Sequence, residues 1–577
     1  MKRAIISIIL LIPASTASAQ TKGAITGRVV AEDGAGMAGV TVMLSVVAIQ
    51  DGPRRSTTTD EEGNFRFADL SPRPYSISVF GSREYVAPPA ITRSGERRYY
   101  RPGENVQIAL IRGGVITGRV TNAAGEPVIG IQVLATRVRD ADGRPIQTAI
   151  GSSQRLSDDR GVYRIYGLQP GGYIVVANSS SNYSGGGAYY GESPTYHPSS
   201  TRDSAAEVTV ASGTEASGID IRYRGEPGHA VSGRMTGVDP AESFAACVVY
   251  LTNAATGASF DLMYANPSQG GAFAFYGVPD GQYDLTAESL ENYRNDRPAD
   301  DKNDRLASEP RRVSVRGADV TGVELRLSPR AAIEGKVVLD QFPLRCEEKS
   351  QPALEEIILQ ARRDEAVKAP LPAHLSFPRD TTANEKGEFL LKSLDPARYR
   401  LRVSLPGESW YLKSITAPAS APTGPTSGAA LAGAADIARS GIPLKAGARL
   451  RGVTVTIAEG AASLRGRVTP EKEGARLPSK LAVHLVPAET ASANDVLGYA
   501  ETVAEREGAF EFRNMAPGKY LLLARAAPDD EPSDRPSAPV AWDTVERAKL
   551  RKEAEAMKVE IELKPCQRIS DQVVKYR

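Results

Sequence analysis

One spacing recurs five times along this chain and constrains its fold more than any other feature. A Gly is followed by an aromatic residue two positions later, apolar residues at four and seven, and a Tyr at twelve. The copies are Gly63/Phe65/Phe67/Leu70/Tyr75, Gly161/Tyr163/Ile165/Leu168/Tyr173, Gly271/Phe273/Phe275/Val278/Tyr283, Gly387/Phe389/Leu391/Leu394/Tyr399 and Gly508/Phe510/Phe512/Met515/Tyr520. Polar clusters such as Asp60-Glu61-Glu62 and Asp158-Asp159-Arg160 precede the Gly. A polar cluster closed by Gly predicts a hairpin turn, because Gly takes the positive φ that a Cβ resists. Alternation then puts Phe65 and Phe67 on one face and Asn64 and Arg66 on the other, as in a half-buried strand. Pro72, Pro170, Pro279, Pro396 and Pro517 have no N–H to give a ladder and end that strand. The Tyr opens the next, as in Tyr75-Ser76-Ile77-Ser78-Val79.

Each copy sits inside a longer period. Five similar openings precede it, at Ile25-Thr26-Gly27-Arg28-Val29, Ile116-Thr117-Gly118-Arg119-Val120, Val231-Ser232-Gly233-Arg234-Met235, Ile333-Glu334-Gly335-Lys336-Val337 and Leu464-Arg465-Gly466-Arg467-Val468. Alternating strands are expected to close the periods at Val106–Leu110, Ile219–Ile221, Val323–Leu327, Val453–Ile457 and Val559–Leu563. The opening glycines are 91, 115, 102 and 131 residues apart. A domain of about 100 residues holds its own core, so each period is expected to be a small domain. In the second, strands are expected near Val115–Thr121, Ile131–Val138, Pro145–Ile150, Val162–Tyr166, Tyr173–Ala177, Glu207–Val210 and Gly218–Tyr223. Seven short strands with turn signals between them predict an Ig-like β-sandwich.

The resulting division is 1–19 signal peptide, 20–112 repeat one, 113–226 repeat two, 227–330 repeat three, 331–459 repeat four with a long loop over 416–447, 460–565 repeat five and 566–577 a C-terminal tail. Joints of about six residues predict a semi-rigid string of beads. Five globules in line, each with a radius of gyration of about 13 Å, would reach on the order of 150 Å. One helix is expected, over Asp543–Met557, with Asp543 and Glu546 as a capping box. Lying just before the expected final strand, it should cover part of the last sandwich.

Lys2 and Arg3, the apolar run Ile5–Ile12 and Ala17-Ser18-Ala19 have the layout of a cleavable export signal, giving a mature start at Gln20. That apolar run is too short to span a bilayer, so no transmembrane anchor is expected after cleavage. Lysine plus arginine total 70 against 69 acidic residues, a balance that argues against a nucleic-acid partner. Three cysteines, Cys247, Cys346 and Cys566, exclude a disulfide scaffold and allow one bridge plus one free thiol.

No catalytic constellation emerges. The four histidines, His197, His229, His374 and His484, fall in different repeats with no metal-ligand spacing. No G-x-S-x-G is present. Asp140-Ala141-Asp142-Gly143 lacks the distal ligands of a calcium loop and fits a hairpin turn better. Catalytic residues, metal sites and cofactors are therefore expected to be none. The candidate ligand-binding residues are Tyr183, Tyr189, Tyr190 and Tyr196, in the Ser/Gly/Tyr-rich stretch 179–200. Rings with polar neighbours can stack on sugars, since each offers an apolar face beside hydrogen-bonding groups. The competing expectation is that they pack back on the sandwich as a lid. Trp410 is expected to serve core packing.

The repeated I-x-G-R-V, D-x-x-G-x-F-x-F and L-x-P-x-x-Y strings resemble the carboxypeptidase regulatory-like domain. The resemblance covers nearly all of Gln20–Leu563 and is closest in repeats one and two. It implies a transthyretin-like seven-stranded sandwich, and the motif residues it rests on are fold-making. The expectation is thus an all-β tandem array of five Ig-like/transthyretin-like β-sandwiches with one short C-terminal helix. It would be an exported, non-catalytic protein of the periplasm, outer surface or extracellular space. Its role would be structural or adhesive, with a polysaccharide or envelope protein as partner. The alternative is an accessory module docking on a secreted peptidase or outer-membrane transporter.

Overall fold

The computed structural model describes residues 23–47, 54–80, 84–88, 98–146, 153–178, 189–237, 247–257, 259–266, 270–290, 306–340, 346, 353–364, 379–418, 434–472, 475–478, 480–505, 507–527 and 539–576. The chain is all-β, and five buried clusters follow one another along it, one around each copy of the repeated spacing. The expected export signal lies outside the described residues.

Each cluster is enclosed by two layers of strands, which in repeat three are joined into one eight-stranded sheet through Leu306–Ser308. In the first layer the opening strand is central. In repeat one, Gly23–Val30 pairs antiparallel with Asn64–Leu70 and parallel with Asn105–Ala109. In the second layer Thr41–Val46 lies between Arg55–Thr58 and Tyr75–Phe80, antiparallel to both. The same scheme recurs, with Ala462–Pro470 between Ala509–Met515 and Arg568–Tyr576 in repeat five.

The repeated residues explain the scheme. The turn glycines Gly63, Gly161, Gly271, Gly387 and Gly508 all have positive φ, from 63° to 83°. Asp60 fixes its turn by accepting the backbone N–H of Glu62 at 3.1 Å and of Asn64 at 2.7 Å on one carboxylate oxygen. Asp158 and Asn384 do the same. Opening glycines serve close approach. A Cβ on Gly27 would lie 2.3 Å from the Val106 carbonyl oxygen and 2.5 Å from the Phe65 ring. Gly335 and Gly466 are crowded by Phe389 and Phe510 in the same way. The repeated Tyr closes the Pro turn behind it. Tyr75, Tyr173, Tyr283, Tyr399 and Tyr520 each donate to the carbonyl four residues upstream, at 3.2, 2.7, 3.0, 3.0 and 2.8 Å.

Several expectations need correction. The tail 566–577 contains the strand Arg568–Tyr576, which runs parallel to the opening strand of repeat five. Glu560–Leu563 instead pairs with Gly518–Leu521 in the other layer. The expected third strand of repeat two falls mostly on 147–150, outside the described residues, and Ser153–Leu156 is a strand paired with Gln132–Ala135. The loop over 416–447 is ordered at both ends. Thr416–Pro418 pairs with Ala434–Asp436, a short helix spans Ile437–Ser440, and Ile442–Leu444 joins the second layer. Ile442–Leu444 takes the edge place that Glu207–Val210 and Arg311–Val315 hold in repeats two and three, while Trp410–Pro418 and Ala434–Asp436 extend the first layer of repeat four beyond Arg449–Glu459.

The string of beads is also not straight. Tyr99 of repeat one donates to Asp380 of repeat four at 2.5 Å, and Arg101 reaches the carbonyls of Glu356 and Leu405 at 3.4 and 3.5 Å. Contacts across 255 to 304 residues of sequence fold the array back on itself.

The helix spans Thr544–Met557, with Asp543 accepting the N–H groups of Val545 and Glu546. Leu550 and Ala554 bury against Val486, Leu521 and Leu523 on the outside of repeat five. Trp410 is 8% exposed within the repeat-four core.

Candidate functional site

The Tyr-rich segment leaves the strand Gly171–Ala177 through Asn178, whose φ is +60°. The Asn178 side-chain amide donates to the carbonyls of Tyr189 and Glu192 at 3.0 and 2.8 Å, which pins the returning chain. The four tyrosines then have different fates. Tyr183 lies outside the described residues. Tyr189 turns inward: its hydroxyl donates to the Ile129 carbonyl at 2.8 Å and its ring meets Tyr223 edge-on at 5.8 Å. Tyr223 in turn donates to Glu192 at 2.7 Å, and burial together with that carboxylate pushes its hydroxyl pKa well up. Tyr196 sits in the short strand Thr195–Tyr196 beside Val176 and is half-buried. Burial raises its pKa, with Arg202 opposing.

Tyr190 alone of the described three turns outward. It is 55% exposed, and its ring lies 5.0 Å from that of Tyr276 in repeat three, which is 40% exposed. The two planes meet at 47°. The pair forms an open aromatic corner between two repeats. Tyr276 carried no motif in the sequence. Its signal was only its phase, since an aromatic next to the inward Phe273 and Phe275 must face out.

A second feature was also missed. The sixth residue after each turn glycine is left-handed in every repeat: Asp69, Gly167, Gly277, Ser393 and Asn514, with φ from 55° to 72°. In repeats three, four and five a segment of the preceding repeat packs there, and in repeat two the joint residue Gly113 does. A Cβ on Gly113 would lie 2.9 Å from Gly167, and one on Gly277 would lie 2.5 Å from the Glu192 carbonyl oxygen. Arg330 donates to the Ser393 carbonyl at 3.3 Å. Asn514 donates to the carbonyls of Gly407 and Trp410, both at 2.8 Å. Sequence pattern hid this position because Asp, Gly, Ser and Asn all tolerate αL, so no single letter repeats.

The joints are reinforced further. Arg330, 5% exposed, is paired with Glu288 of repeat three at 3.1 Å and Asp395 of repeat four at 3.4 Å. Arg363 holds Asp395 from the other side at 2.8 Å. Cys346 and Cys566 form a disulfide between repeats four and five. Cys247 is free and buried.

Asp140 caps a hairpin turn by accepting the N–H groups of Asp142 and Arg144, both at 2.9 Å. Among the described residues, no group of three His, Cys, Asp or Glu side chains is placed to hold a metal ion. No helix among them is long and apolar enough to cross a membrane.

Residues 24–91 match the carboxypeptidase regulatory-like domain family. No curated protein matches the chain. Among solved structures, a minor pilin of Streptococcus agalactiae is 14% identical over 35% of this chain and 96% of its own, with a TM-score of 0.20. Two B repeat units of the collagen-binding protein of Staphylococcus aureus are 12% identical over 76% of this chain and 100% of their own, with a TM-score of 0.13. The Bacillus anthracis TIE protein is 13% identical over 53% of this chain, at a TM-score of 0.13, and this chain spans 50% of its length.

Proposed function

We propose that this chain is an exported, non-catalytic scaffold that holds binding surfaces at fixed spacing and adheres to polysaccharide at the cell envelope. One observation carries the proposal: the joints are built. Repeats three, four and five each receive the preceding repeat on the same left-handed element, and a buried Arg330 network and a disulfide add to it. A chain that only needed tethered modules would join them by flexible linkers. The disulfide also favours an oxidising compartment, in keeping with the export-like layout of residues 1–19.

The Tyr190–Tyr276 corner supplies the binding surface. Two exposed rings at an angle can grip a sugar ring by its apolar face, with their hydroxyls at the rim. The test is a polysaccharide pull-down with the full chain and with Tyr190→Ala/Tyr276→Ala. Binding that the double variant loses supports the proposal. Capture of no glycan, with one stoichiometric envelope protein co-purifying instead, would replace it by partner docking.

A further inference from the structure

The outer face of the first layer in repeat one differs from its equivalents. Two rows of side chains cross it. Arg66, Thr26 and Asn105 stand in one register row, and Asn64, Arg28 and Gln107 in the next. Together they floor an open groove of about 770 Å³. In repeat two the residue at the Arg66 position, Arg164, is bound to Glu215 at 3.0 Å. The same face of repeat four carries Arg449 on Glu334 at 3.1 Å, and that of repeat five Arg465 on Glu511 at 2.6 Å. In repeat one the neighbouring strand sets the amides Asn105 and Gln107 opposite Thr26 and Arg28, whereas in repeat two it sets Glu215 opposite Val115, where it also accepts from Thr117, and Asp220 where it accepts the Arg119 backbone N–H. Among the described residues Arg66 has no ion-pair partner. Asp60, the only carboxylate lining the groove among the described residues, has its oxygens engaged by the backbone of Glu62 and Asn64 and by the Asn64 amide.

We infer that this groove binds a carboxylate-bearing sugar, such as a uronic acid unit of an acidic polysaccharide. Arg66 would take the carboxylate through its planar fork, the geometry in which guanidinium and carboxylate match best. Arg28, whose Nε already donates to the Glu62 carbonyl at 2.8 Å, keeps its other N–H groups for the same anion. Asn105, Gln107 and Thr26 each present donor and acceptor together, which suits sugar hydroxyls that are also both. The side chains of an acidic peptide accept only, so its backbone N–H groups alone would have to match the amide carbonyls and the Thr26 oxygen, whereas every sugar hydroxyl can do so. The inference deepens the polysaccharide proposal but rests on a different face of a different repeat from Tyr190 and Tyr276.

The test uses the full chain in calorimetric titrations with oligogalacturonate, the neutral oligomer of matched length and poly-glutamate. Oligogalacturonate should bind, with affinity falling as salt rises. Arg66→Ala should weaken it by at least about tenfold, as loss of a charge-assisted pair requires. Arg66→Lys should recover part of the loss. Arg66 is exposed, so an unchanged melting temperature certifies the fold of each variant. Tyr190→Ala/Tyr276→Ala should leave oligogalacturonate binding intact, which separates failure of this site from failure of the aromatic corner. No binding, equal binding of the neutral oligomer, or binding indifferent to Arg66 would overturn the inference. Preferential binding of poly-glutamate would reassign the groove to a peptide, and Arg66-dependent self-association in sedimentation would reassign it to a second copy.

Discussion

Cys346 and Cys566 are bonded to each other across 220 residues of sequence, with their Cα atoms 5.5 Å apart. The bond ties the region after the opening strand of repeat four to the turn before the last strand of repeat five. It closes a joint that Asn514 and Trp410 also form. Thiol titration should therefore find no reactive group in the native oxidised chain, because Cys247 is buried and its pKa is pushed up to about 11 by desolvation. One thiol should appear in denaturant and three after reduction. A reactive thiol in the native chain would contradict the burial of Cys247 or the pairing.

The Tyr99–Asp380 contact makes a prediction about shape. It joins repeats one and four, with Arg101 beside it and half-buried Glu356 facing that guanidinium. A single hydrogen bond contributes about 1 kcal/mol, and one to a charged group somewhat more. Tyr99→Phe/Arg101→Ala should then open the array. X-ray scattering should show the maximum dimension rising toward the roughly 150 Å of five globules in line. An unchanged scattering profile would mean that the fold-back is held elsewhere.

The repeated Tyr can be tested within one sandwich. Tyr173 is 1% exposed and donates to the Gln169 carbonyl at 2.7 Å. Tyr173→Phe removes only that bond and should cost about 0.5–1.5 kcal/mol. Tyr173→Ala also empties the ring's place in the core and should cost about 3–5 kcal/mol, by analogy with other buried aromatic truncations. Denaturant unfolding of the two variants measures the difference. Equal losses would mean that the ring contributes no more than its hydroxyl.

What could be read in the sequence follows from where each constraint lives. Gly63, Phe65, Phe67 and Tyr75 act within a dozen residues, so turn, alternation and closing Tyr were all legible. The last strand of repeat five was not. In repeats three and four the closing strand bulges at a glycine with positive φ, Gly322 and Gly452. In repeat five the same bulge falls on Asp571, with φ +66°, so Arg568–Tyr576 lacks both the glycine and clean alternation. Val559–Leu563 alternates better and drew the assignment, although it belongs to the other layer. Tyr190 lay within the residues singled out, but its partner Tyr276 is set by how two repeats meet. The disulfide pairing and the Tyr99–Asp380 contact likewise depend on packing between distant repeats, which local patterns do not encode.

Repeat five also carries a pH-dependent element. His484 is 1% exposed in the central strand Leu481–Pro487. Arg525 approaches its Nε2 at 3.2 Å, while Glu501 lies 3.7 Å from Nδ1. Burial, then the Arg525 charge, pushes the imidazole pKa down to about 3. Folding therefore requires the neutral ring, whereas in the unfolded chain it takes a proton near pH 6.5. Below that pH the unfolded state binds more protons than the folded one, so stability falls as pH falls. The contribution is fully present above about pH 6.5 and declines by about 1.4 kcal/mol per pH unit between there and about pH 3. Unfolding of repeat five followed by hydrogen exchange at pH 7.5 and pH 5 should show this slope, and His484→Gln should flatten it. The variant still offers the amide oxygen as acceptor to Arg525, so it tests the proton rather than the packing. A slope that persists in His484→Gln would move the effect to the carboxylates around it, with Glu501 the first to examine.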